Sequence, residues 1–127
     1  MKKKKYSLEY VIKSSPVILY EFVSTPSGLT QWFADHVDNI KDLYTFDWEG
    51  SKQSARLLEN IEFDLVRFRW EDSPKEEFFE FKITHTEVTN ETVLTITDFA
   101  AANEIKDNTL LWNRQVKTLI QNIGGLS

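Results

Sequence analysis

Cysteine is missing from this chain, and with it go thiolate catalysis, Cys-ligated zinc and disulfide cross-links. Histidine occurs only at His36 and His85, so a three-histidine metal site is excluded. Long apolar runs are missing too. The longest, Pro16 to Tyr20, falls far short of the roughly 20 residues that span a bilayer. Behind Met1 stand four lysines instead of the apolar stretch of about 7–15 residues that marks a secretory signal. The protein is therefore expected in the cytoplasm and not as a membrane-integral chain. Excess positive charge is also lacking: a net charge of −5 disfavours a nucleic-acid partner, which needs clustered cations. Lys2 to Lys5, the one basic run, reads as a solvated start, because a membrane-surface patch normally wants a second anchor.

What is present suits one domain spanning residues 1–127, with residues 1–5 as a flexible basic start. At 127 residues and 41% hydrophobic content, one core can form without a metal or cross-link. Tyr6, Leu8, Tyr10 and Ile12 alternate with polar neighbours and predict a half-buried first strand. Ser14-Ser15-Pro16 then supplies a helix cap and a proline at the first helical position. Val17, Tyr20 and Val23 are expected to form the buried face of that helix. Thr25-Pro26 repeats the start signal, with Thr25 or Ser27 as cap and Leu29, Trp32 and Phe33 on one face of a second short helix.

The pattern then changes to period two. Segments containing Tyr44-Phe46-Trp48, Ala55-Leu57, Val66-Phe68-Trp70, Phe79-Phe81-Ile83 (the longest strand expected) and Leu94-Ile96 are separated by turn clusters such as Glu49-Gly50-Ser51 and Asp72-Ser73-Pro74. Short connections predict an antiparallel meander, since parallel pairing needs long crossovers. Arg67 and Arg69 are expected to face Glu80 and Lys82 across a hairpin as scaffold. Ile105, Thr109, Trp112, Val116, Leu119, Ile120 and Ile123 step by threes and fours along a C-terminal helix of about 20 residues, stopped at Gly124-Gly125.

This order, with Ser15-Pro16-Val17, Tyr20, Thr25-Pro26-Ser27-Gly28-Leu29, Trp32-Phe33, Phe68-Arg69-Trp70 and Leu111-Trp112-Asn113-Arg114-Gln115, resembles the helix-grip fold of the START-like (SRPBCC) superfamily. The branch it most resembles is that of the heat-shock-protein ATPase activator homologues. The resemblance implies an α+β domain: a curved antiparallel sheet of six or seven strands, two short helices after strand one, and a long C-terminal helix packed across the sheet over a pocket. The glycine-free segment Ala34 to Leu43 departs from that branch, so the pocket rim there cannot be copied from relatives. The superfamily includes lipid, sterol and polyketide binders, cyclases and co-chaperone domains, and fold alone does not choose among them.

The concave face is expected to carry Tyr44, Phe46, Trp48, Val66, Phe68, Trp70, Phe79, Phe81, Ile83, Leu94 and Ile96, closed by Trp112, Val116, Leu119, Ile120 and Ile123. These side chains either fill a close-packed core or line a cavity of several hundred Å³. The candidate ligand-binding residues are Tyr44, Phe46, Trp48, Phe68, Trp70, Phe79, Phe81, His85, Trp112 and Val116. His85 continues the inward alternation of its strand, as a hydrogen-bonded or solvated residue or as an acid–base group. His36, between Asp35 and Asp38, reads as part of a polar loop. Serine elbows, phosphate loops and dinucleotide fingerprints are absent, so no cofactor and no catalytic residue are named. The expected function is non-catalytic binding of a hydrophobic small molecule or lipid. The alternatives are a co-chaperone domain with a chaperone partner and, third, a cyclase- or hydrolase-type enzyme. The chain is expected as a monomer or weak homodimer, with lysines discouraging edge pairing.

Overall fold

The computed structural model describes residues 2–124; the Gly125 half of the expected helix stop lies outside them. Strand β1 (Lys4–Ile12) leads into helices α1 (Pro16–Ser24) and α2 (Pro26–Thr30). Strands β2 (His36–Ile40), β3 (Leu43–Trp48), β4 (Ser51–Ile61), β5 (Leu65–Trp70), β6 (Phe79–Thr86) and β7 (Glu91–Ala100) follow, then a single 3₁₀ turn and helix α3 (Ile105–Gly124). The strands form one antiparallel sheet in the order β1-β7-β6-β5-β4-β3-β2. The α1–α2 connection carries the chain from one sheet edge to the other, and α3 packs back against β1, β7 and α1.

Both short helices begin as their sequences dictate. Ser15 Oγ accepts from the Ile18 amide at 3.2 Å, and Thr25 Oγ1 accepts from the Gly28 amide at 2.9 Å, each just before a proline at the first helical position. Gly28 is needed for close approach: a Cβ there would lie 2.0 Å from the Glu21 carbonyl oxygen and 2.7 Å from Phe22 Cα. The β3–β4 hairpin turns on Glu49 and Gly50, both with positive φ (51° and 88°), as a two-residue turn matched to the twist of its strands requires. Asp47 and Asp35 carboxylates accept from the Gly50 and Glu49 amides, each at 2.8 Å, and so hold that turn. Arg67 faces Glu80 in register and pairs with it at 2.6 Å.

Several expectations are corrected. Lys4 and Lys5 belong to β1, paired with Ala100 and Phe99, because backbone pairing extends past the apolar alternation. Helix α1 buries Leu19, Phe22 and Val23, while Val17 is half exposed and Tyr20 partly buried. The helix is apolar on most of its circumference, so periodicity alone does not choose its face. Residues 36–40 form an edge strand and not a loop, with Val37 alone turned into the core. Strand β4, at 11 residues, is longer than β6, at 8, and an irregularity between Leu57 and Glu59 breaks its alternation. On α3, Trp112, Val116, Leu119 and Ile123 are buried, whereas Ile120 is 43% exposed and closes nothing.

Candidate functional site

The space beneath the middle of α3 is filled by rings. Phe46, Phe68 and Phe81 have no solvent exposure and Phe79 almost none. Phe33, just past α2, sits at their centre, with centroids 5.1 Å from Phe46, 5.8 Å from Phe79 and 5.7 Å from Trp112. These offset and edge-to-face contacts are those preferred by aromatic quadrupoles, and they leave the interior close-packed. Tyr44 is equally committed: its hydroxyl donates to the Ser24 carbonyl at 2.9 Å. Of the expected ligand residues, Tyr44, Phe46, Phe68, Phe81 and Val116 are therefore core.

An open cleft of about 330 Å³ remains at the end of the grip where β3, β5 and β7 finish. Its walls are Phe33, Trp48, Trp70, Phe79, Leu111 and Trp112, and its polar groups are Gln53, Asp98, Asn108 and Gln115. Trp48 and Trp70 have centroids 6.1 Å apart, and Trp70 stacks on Phe79 at 4.8 Å. Hydrogen bonds hold the walls: Trp48 Nε1 donates to the Phe33 carbonyl at 2.8 Å, and Gln115 Nε2 donates to the same oxygen at 3.0 Å. The structure thus brings together Trp48, Trp70, Phe79 and Trp112 from the sequence candidates.

Asp98 is the charged residue of the cleft. Its Oδ2 accepts from Trp112 Nε1 at 3.1 Å and from the Tyr6 hydroxyl at 3.3 Å, and its Oδ1 accepts from the Phe99 amide at 2.8 Å. Burial pushes its pKa above the usual carboxylate range against the opposing pull of these donors. Burial, and then the Asp98 charge, push the Tyr6 hydroxyl upward as well. Sequence reasoning missed Asp98, Gln53, Asn108 and Gln115. The signal was available in β7, where Asp98 falls on the same parity as Leu94 and Ile96, and in β4, where Gln53 shares the parity of Ala55.

His85 lies outside this cleft, in an exposed position at the other end of β6. Together with residues 11–16, Asn90 and Glu91 it lines a recess of about 540 Å³. Although larger, that recess has none of the aromatic walls of the cleft. Thr92 Oγ1 donates to the Ser14 carbonyl at 2.7 Å, so its contact with His85 Nδ1 at 3.2 Å must have the imidazole as donor. His36 is exposed on the edge strand. Among the described residues, no group of three or more His, Cys, Asp or Glu side chains is placed to hold a metal ion, and no helix is long and apolar enough to cross a membrane.

The grip of seven strands around α3, with two capped helices bridging the sheet edges, defines a helix-grip domain. The chain belongs to the START-like superfamily: the model of the START-like superfamily domain matches residues 1–125. A Bacteroides fragilis protein solved by solution NMR is 37% identical over 97% of this chain and 93% of its own, with a TM-score of 0.69. A Mesorhizobium loti protein solved by X-ray crystallography is 13% identical over 98% of this chain and 99% of its own, with a TM-score of 0.80. The Aha1 dimer from Colwellia psychrerythraea is 17% identical over 94% and 92%, with a TM-score of 0.70. The last two likenesses concern the fold. No curated protein matches the chain.

Proposed function

We propose that this protein binds a small hydrophobic molecule, without catalysis, in the cleft between the sheet ends and α3. The observation that carries this reading is an aromatic enclosure, Trp48, Trp70, Phe79 and Trp112, combined with a few amide groups and one carboxyl. Ligand sites are typically apolar spaces of about 300–1,000 Å³ with sparse polar groups, and about 330 Å³ is the small end of that range. A long acyl chain would need the interior that Phe46, Phe68 and Phe81 occupy. A compact ring-bearing ligand fits better than a whole lipid.

Quenching of tryptophan fluorescence on titration with naphthalen-1-ylmethanol tests the reading. Saturable binding is expected, weakened about three- to tenfold by Trp70→Ala, the loss of one stacking contact. Absence of saturable binding would count against it.

A second reading, a co-chaperone domain similar to the ATPase activators, is favoured by the same filled core, since such a domain works through its surface. The likeness to the Aha1 dimer supports it at the level of fold. Stimulation of a chaperone ATPase by the purified protein, undiminished by Trp70→Ala, would favour this second reading.

A further inference from the structure

We propose that the cleft selects organic cations: a protonated amine carried on an aromatic or alicyclic body, with its ammonium held between the Asp98 carboxylate and the indole faces of the walls. This rests on the reading of the cleft as a ligand site and specifies its ligand class.

Asp98 lacks a cationic partner among the described residues. Its three contacts, from Trp112, Tyr6 and Phe99, are all neutral donors. Among the described residues no basic side chain forms an ion pair with it, and Lys3, whose charge reaches it, pairs instead with Glu77 at 3.6 Å. A carboxylate has about four acceptor positions, so three donors leave room for one more partner. Asp98 lines the cleft, which is where that partner can come from. A partly buried carboxylate without a counter-charge is costly, and a ligand cation offsets that cost.

The walls point the same way. Indole and phenyl faces carry the negative side of the ring quadrupole and attract cations, tryptophan most strongly. Trp48, Trp70, Trp112 and Phe79 supply several such faces around one small space. The remaining polar lining, Gln53, Asn108 and Gln115, consists of neutral amides, and no Lys, Arg or His lines the cleft. An anionic ligand would therefore meet a carboxylate and ring faces with no positive group to receive it. The net charge of −5 adds a weak long-range bias of the same sign.

Three probes of one shape decide the matter: naphthalen-1-ylmethylamine, naphthalen-1-ylmethanol and 1-naphthoate, titrated at pH 7 by tryptophan fluorescence. The amine is expected to bind about tenfold or more tighter than the alcohol, and the carboxylate weakest, as desolvated cation–π and charge contacts imply. Asp98→Asn should remove most of the amine's advantage over the alcohol, weakening the amine far more than the alcohol. On acidification the affinity of wild-type protein for the amine, but not for the alcohol, should fall as Asp98 takes up its proton. The groups facing Asp98 are Tyr6 from β1, Lys3 before it, the Phe99 amide beside it, Trp112 and Asn108 from α3, and Glu77 ahead of β6. Glu77 is the other carboxylate at this end of the sheet, so Glu77→Gln accompanies the series and should leave the pH profile in place.

Equal affinity for amine and alcohol, or tightest binding of the carboxylate, overturns the cation inference while leaving the cleft as a ligand site. Failure of all three probes overturns both. Should Asp98→Asn not fold, the wild-type probe order and pH profile still decide.

Discussion

Gly28 and Asp98 mark the two kinds of single-residue constraint in this molecule, one steric and one electrostatic. At Gly28 the obstacles to a side chain are backbone atoms of α1, which cannot rotate away as a flexible side chain could. Gly28→Ala is therefore expected to destabilise the protein by about 1–3 kcal/mol or more, read from urea unfolding midpoints. Asp98 acts through its proton. Its folded-state pKa is raised, so the native state holds the proton more tightly than the unfolded chain does. Stability from this group is full below the unfolded pKa and is lost as pH rises through the folded pKa. Relative to wild type, Asp98→Asn should thus gain melting temperature as pH rises from the acid range to neutrality. A difference that does not change with pH would contradict the assignment. Asp98 could have been placed in the sequence by parity alone, but its neighbours Tyr6 and Trp112 are separated from it by 92 and 14 positions and meet it only through the fold.

Among the elements, α3 shows how far periodicity reaches. The steps of three and four located the helix and most of its buried stripe, yet they also admitted Ile120, which lies about 40° from Val116 on the helical wheel, outside the stripe, and faces solvent. Leu119→Ala should cost about 2–5 kcal/mol as a cavity-forming change in the core, whereas Ile120→Ala should fall within about 0.5 kcal/mol of wild type. Equal costs in thermal or urea unfolding would mean that the helix is rotated from the described packing. Strand β2 was not legible for the opposite reason: an edge strand with one inward residue, Val37, carries almost no alternation. The proline-started helices were legible because caps are local chemistry. Ser15 and Thr25 need only neighbours three residues away. Lys4 and Lys5, on the other edge strand, place charge where unpaired backbone would invite another strand.

In the whole molecule, the aromatic inventory of the sheet indicated a lining, but whether rings line a cavity or fill it depends on volumes that alternation does not encode. Phe33 decides it. Lying just past α2, it drops into the centre of the sheet's rings and closes the interior, displacing the open space to the mouth between Trp48, Trp70 and Trp112. The proposed binding is thereby confined to one end of the grip, with His85 at the other. The four tryptophans report on this directly, because Trp32 is buried under the sheet with its indole N–H donated to the Phe22 carbonyl at 2.7 Å. The decisive measurement is the ¹H–¹⁵N NMR spectrum during titration with naphthalen-1-ylmethylamine. The indole signals of Trp48, Trp70 and Trp112 should move together and saturate while that of Trp32 stays in place. Saturable shifts at His85 and Asn90 with the three cleft indoles unmoved would contradict the account.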